Sequence, residues 1–153
     1  MYTNNENDKA DSVTKELIEE IHVQLGIIRS VLLEIKIKYA NKNLMQEINE
    51  IIYKFFRAFH CINGISDFVD FNCVKNICIA VELFLNKCKK NLIYEDNNLI
   101  TNMNIITNAI YYIEKICDEP DLQNNEAFRS EMHLFLLTVK SAIQLNGGYE
   151  VMR

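Results

Sequence analysis

One short stretch, FFRAFHCINGISDFVDF from Phe55 to Phe71, places a single histidine among aromatic residues, follows it with a glycine, and ends with two aspartates. Apolar residues at Ile48, Ile52, Phe55, Phe59 and Ile62 recur every three or four positions, so the stretch reads as a helix with a buried stripe. Each residue turns the side chain by about 100°. His60 therefore falls on the edge of that stripe, beside Tyr53 and Gly64, with its imidazole partly exposed and open space one turn further on. A following helix repeats the construction: Val81 faces the core, and Glu82 takes the edge position equivalent to that of His60. If the two helices are antiparallel neighbours, the Nδ1–H of His60 can donate to the Glu82 carboxylate. That bond fixes the tautomer and leaves Nε2 with a free lone pair, a nucleophile near neutral pH.

The elements that must position this pair are helices. One proline and four glycines punctuate 153 residues, and no alternating strand pattern with flanking turn signals occurs. Five helices are expected in an all-α fold. The first runs from about Ser12, a plausible N-cap, to Tyr39, with Leu17, Ile21, Leu25, Ile28, Leu32 and Ile35 on one face. The second begins after Asn41–Asn43 and ends near Gly64. The third spans about Asn72 to Asn91 and buries Val74, Ile77, Val81, Phe84, Leu85 and Cys88; its last turn, Lys87-Cys88-Lys89-Lys90, offsets the helix dipole. A fourth runs from Asn98 to Cys117, with Ile100, Met103, Ile106, Ile110 and Ile113 in register, and is closed by Asp118-Glu119-Pro120. The fifth covers Asn124 to Leu145 and stops before Gly147-Gly148. Short connections imply antiparallel neighbours. The expected organisation is a flexible polar tail over residues 1–11, one helical domain over 12–145, and a tail or linker start over 146–153.

Composition narrows the function. A formal net charge of −5 and a pI near 5.2 argue against nucleic-acid binding, which needs a concentrated surplus of Lys and Arg. No apolar run approaches the roughly 20 residues of a membrane span, and the polar start MYTNNENDKADS does not read as a signal peptide, so a soluble cytoplasmic protein is expected. Cys61, Cys73, Cys78, Cys88 and Cys117 form no CxxC pair and read as free thiols. Cys61 and His60 project about 100° apart and do not make a thiolate pair. His22 and His133 lie on other helices without ligand-like spacing, so no metal site is expected. Asp67 and Asp70 read as turn formers in a loop beyond Gly64.

These residues resemble the histidine phosphotransfer (HPt) domain family, on the pattern of the amino-terminal phosphoacceptor domain of CheA-type chemotaxis histidine kinases. The family motif is approximately F-R-A-x-H-T-x-K-G-x-x-G-x-x-G, and Phe56, Arg57, Ala58, His60, Ile62 and Gly64 stand in matching places. The acidic residue 22 positions further on, in an A-x-E-x-x-L setting, is matched by Glu82 in Ala80-Val81-Glu82-Leu83-Phe84-Leu85. The resemblance implies a five-helix domain, four helices of which form an up-and-down bundle. It also implies a phosphoryl carrier in two-component or chemotaxis signalling, with His60 as phosphoacceptor, Glu82 orienting it and Gly64 giving access. The partner would be a histidine kinase catalytic domain, a response-regulator receiver domain, or both. Magnesium and ATP would come through that partner, with no cofactor bound by this domain, and the isolated domain is expected to be a monomer.

The sequence departs from the family at several positions. Asn63 replaces the family lysine, Ile79 a second histidine on the third helix, and Asp67 and Asp70 two loop glycines. A phosphoryl group carries close to two negative charges, so Arg57, Lys75 and Lys89 are the cations expected to give electrostatic support. Ile79 and Leu83 project to the outer side of the third helix beside Glu82, where they serve either as a partner-binding patch or as contacts for a neighbouring helix. The alternatives to a working carrier are a degenerate domain that binds a receiver or kinase without being phosphorylated, and an unrelated helical adaptor.

Overall fold

The structure, a computed structural model, describes residues 3–40, 44–90 and 98–151. It is an all-α helical bundle: α1 (Thr3–Ala40), α2 (Leu44–Phe68), α3 (Asn72–Lys90), a one-turn α4 (Asn98–Thr101), α5 (Met103–Asp118) and α6 (Glu126–Val151), with a 3-10 turn, Pro120–Asn124, before the last helix. Helices α1, α2, α3 and α5 close into a ring of neighbours, and α6 packs outside it, chiefly on α3. Their directions follow from cross-helix ion pairs. Glu34 of α1 meets Lys54 of α2 while the later Lys38 meets the earlier Glu47, and on the other flank Arg29 meets Glu114 while the earlier His22 meets the later Asp118. Both pairs of helices are antiparallel.

The core is built from the expected stripes. Ile21, Leu25, Ile28 and Ile35 of α1, Ile48, Ile52, Phe55, Phe59 and Ile62 of α2, and Val74, Ile77, Val81, Phe84, Leu85 and Cys88 of α3 are all buried, as are Ile106, Ile110 and Ile113 of α5. Phe128, Met132, Phe135 and Val139 seat α6 on this core. Among the described residues no helix is long and apolar enough to cross a membrane.

Four helices differ in extent from those expected. α1 starts at Thr3, so Ser12 lies inside it and caps nothing; Glu6 in its first turn complements the helix dipole, and Glu6–Glu16 is exposed throughout. α2 runs one turn past Gly64 to Phe68, because Ile65 and Ser66 are buried there and a glycine inside a helix costs only about 1 kcal/mol. Asn102 breaks the fourth helix into α4 and α5 at φ −114°, ψ 31°. α6 starts at Glu126, capped by Asn125 Oδ1, which accepts the Phe128 N–H at 2.9 Å, and continues through Gly147-Gly148 to Val151.

The turn between α2 and α3 explains Asp67 and Asp70. Asp67 belongs to the last turn of α2 and not to a loop. Asp70 has φ 58°, the left-handed region usually given to glycine, and the Phe71 N–H reaches back to the Ser66 carbonyl at 3.0 Å. That six-residue closure is a Schellman C-cap with aspartate at the position where glycine is commonest. Phe71 is buried behind it and immediately precedes α3, its carbonyl accepting the Lys75 N–H at 3.0 Å.

Candidate functional site

The α2–α3 pair carries the site. His60 Nδ1 lies 2.7 Å from Glu82 Oε1 across the two helices. A carboxylate oxygen can only accept, so Nδ1 carries the proton and donates it, which leaves Nε2 as the ring nitrogen for chemistry. The two partners are placed very differently. The His60 side chain is 70 % exposed, whereas that of Glu82 is 12 % exposed. The second carboxylate oxygen, Oε2, accepts from Asn63 Nδ2 at 3.2 Å. Asn63, one turn beyond His60 on α2, thus holds the carboxylate that holds the imidazole.

Packing fixes the ring from its other side. Phe56, one turn before His60, stacks on it with ring planes 9° apart and centroids 5.8 Å apart. Phe56 in turn leans on the core, so the imidazole rests between an apolar plate and a largely covered carboxylate. Gly64 is exposed and keeps an ordinary helical φ, and a Cβ built on it meets nothing within 4 Å. No packing or backbone constraint requires a glycine there. Its effect is to leave the surface beside the imidazole without a side chain.

A second cross-helix pair fixes the register. Lys75 of α3 donates to Asp67 of α2, and both lie seven residues, two helical turns, from the first pair: His60 to Asp67 on one helix, Glu82 to Lys75 on the other. A single antiparallel seam therefore runs through both contacts. Lys75, expected to support His60 electrostatically, is engaged by Asp67 two turns away, a carboxylate expected in a loop. Arg57, one turn before His60, and Lys89, two turns beyond Glu82, are exposed and in no ion pair among the described residues.

Ile79 and Leu83 flank Glu82 on α3 and stand 40 % and 55 % exposed, so no neighbouring helix covers them. Sequence reasoning missed Phe68. It lies at the end of the line His60, Gly64, Phe68, four residues per step, and is 81 % exposed. The signal was the same i+4 spacing that placed Gly64, hidden because the helix was ended there. The role of Asn63 was missed as well, since an amide reads as a lost lysine until its distance to Glu82 is known.

The other candidates stay apart from this edge. His22 is 3.7 Å from Asp118 at the α1–α5 boundary, and His133 is exposed on α6. Among the described residues no group of three or more His, Cys, Asp or Glu is arranged to hold a metal ion. All five cysteines are free. Burial raises every one of their thiol pKa values, to about 12 for Cys88 and Cys117, so none offers a thiolate at neutral pH.

No protein-family model matches the sequence, and neither a curated protein nor a solved structure matches it.

Proposed function

We propose that this chain is a histidine phosphotransfer module in which His60 accepts a phosphoryl group and passes it on. The observation that carries this reading is the 2.7 Å contact between His60 Nδ1 and the nearly buried Glu82, made by a ring that is itself 70 % exposed. A histidine kept for packing would be buried, and one kept for a surface ion pair would not have its partner carboxylate anchored at both oxygens.

In the proposed step the Nε2 lone pair attacks phosphorus. An N–P bond forms as the P–O bond to ADP, or to the carboxylate of an aspartyl phosphate, breaks, and the leaving oxygen keeps the electron pair. Nδ1 keeps its proton, so the phosphorylated ring is an imidazolium and Glu82 faces its positive charge. The reverse attack by a receiver aspartate returns the ring to its neutral state. ATP, magnesium and the catalytic groups belong to the partner, a kinase catalytic domain or a receiver. Arg57 and Lys89 are the cations left to meet the added charge along this edge, and Ile79, Leu83 and Phe68 supply apolar surface against which a partner can dock.

The test is to incubate the protein with ATP and histidine kinase catalytic domains, or with phosphorylated receivers, and to follow phosphate that is acid-labile and alkali-stable. Label on the wild type that is absent from His60→Gln supports the reading. Binding without label would instead support a docking domain that is not phosphorylated.

A further inference from the structure

We infer that Asn63 is a positioning residue for His60: acting through Glu82, its uncharged amide keeps the imidazole proton on Nδ1 and leaves Nε2 open to the reacting group. The inference rests on the phosphotransfer reading for what Nε2 does, and on the geometry of α2 and α3 for where the proton sits.

The Glu82 carboxylate is carried on a long stem, and a single hydrogen bond at one oxygen leaves such a group free to turn. Two donors meet it here. His60 Nδ1 lies 2.7 Å from Oε1 and Asn63 Nδ2 lies 3.2 Å from Oε2, and both donors come from α2, one turn apart. Because a carboxylate only accepts, the Asn63 amide must present its Nδ2 and not its Oδ1. Asn63 is itself tied down. The hydroxyl of Ser66, the one polar residue buried outright among those described, donates to the Asn63 carbonyl at 2.6 Å, and the Phe71 N–H closes on the Ser66 carbonyl. A run of polar contacts thus leads from the covered end of α2, through Asn63 and Glu82, to the exposed ring.

Charge explains why an amide suits this place. Lys75 is paired with Asp67, and Arg57 and Lys89 make no ion pair among the described residues. The carboxylate therefore takes its second bond from a neutral donor, and its full negative charge stays directed at Nδ1. An imidazole left to itself favours the proton on Nε2, so the Nδ1–H form has to be imposed by the partner that Nδ1 meets. When a phosphoryl group sits on Nε2 the ring is an imidazolium, and the same carboxylate holds its Nδ1 proton. As an acceptor oxygen bonds to phosphorus and the P–N bond breaks, the electron pair returns to Nε2 and the ring leaves as neutral imidazole. A cation in place of the amide would neutralise the carboxylate and weaken that hold.

Proton–nitrogen correlation NMR of the ring nitrogens in the nitrogen-15-labelled full chain, at a pH where the ring is neutral, reads the tautomer without any partner; His60→Gln assigns the signals. The wild type should show the Nδ1–H form. Asn63→Ala, a change that favours the helix, should move the tautomer ratio about tenfold towards Nε2–H. Asn63→Gln, which keeps the amide, should stay within about threefold of wild type. With a histidine kinase catalytic domain as phosphoryl donor, Asn63→Ala should lower kcat for labelling about tenfold and leave the KM for this chain unchanged. A wild-type ring with its proton on Nε2, an Asn63→Ala ratio equal to that of wild type, or an Asn63→Gln ring as perturbed as that of Asn63→Ala overturns the inference. So does an unchanged kcat for Asn63→Ala in a chain that is labelled. If no kinase or receiver labels His60 while the tautomer shifts as expected, the phosphotransfer reading fails and the positioning of the ring by Asn63 stands.

Discussion

Two polar pairs cross the same helix seam two turns apart, yet they are built in opposite ways. At Asp67–Lys75 both partners stand in solvent, 56 % and 38 % exposed. At His60–Glu82 the acid is sunk to 12 % exposure and bound at both oxygens, while the base is left outside. The first arrangement is a surface salt bridge, whose free energy is small because water and salt screen it. The second concentrates the cost of ordering on the carboxylate and leaves the imidazole oriented but accessible. Under the proposed function, exposure of one partner with immobilisation of the other would separate a reactive pair from a fastener.

Substitutions along the seam break this contrast or sharpen it. The largest effect is expected from Glu82→Ala. Losing a hydrogen bond to a charged group, worth about 1.5–3 kcal/mol, should slow phosphoryl transfer to His60 by about tenfold to hundredfold, read as the initial rate of label incorporation. Next comes Gly64→Ala, where two readouts should move in opposite directions. The added methyl meets nothing and removes a helix-interior glycine, so the thermal midpoint should rise by the equivalent of about 0.5–1 kcal/mol, while transfer slows because the methyl stands beside the imidazole. If transfer is unaffected, Gly64 is not an access residue.

The fasteners should respond weakly and to different variables. Glu34, between α1 and α2, has its pKa held below the ordinary carboxylate range, first by the hydrogen bond from Lys38 and also by Lys54, against the opposing effect of burial. A depressed carboxylate contributes its stability above the unfolded-state pKa and loses it as the pH falls through the folded-state value. Glu34→Gln should therefore be less stable than wild type at neutral pH by less than about 1 kcal/mol, and the difference should vanish in acid, as measured by urea unfolding across pH. Lys75→Met should cost least, a few tenths of a kcal/mol that disappear in high salt, with labelling of His60 unchanged.

The contrast also shows how much could be read from the residues alone. Periodicity placed the buried faces of α2 and α3 correctly, because one apolar stripe per helix leaves one solution for packing. From those faces the His60–Glu82 contact followed, since an edge residue on each of two antiparallel helices must meet at some register. What was not legible was how the chain turns between the two helices, because that depends on where α2 ends. The turn was misjudged by ending α2 at Gly64 and by not expecting Asp70 in a left-handed conformation. Local signals set propensities of about 1 kcal/mol, and the burial of Ile65, Ser66 and Phe71 outweighed them. The start of α1 was lost for the opposite reason: residues 6–16 touch no core, so no stripe marks them.

The compact turn at residues 69–71 has a kinetic consequence. It joins the two helices that carry the whole His60–Glu82 contact, so the pair is separated by 22 residues and needs only a short loop closure to form. Contacts of such short range favour rapid assembly. The geometry around the imidazole therefore needs no distant segment of the chain to form: it is closed within one helical hairpin.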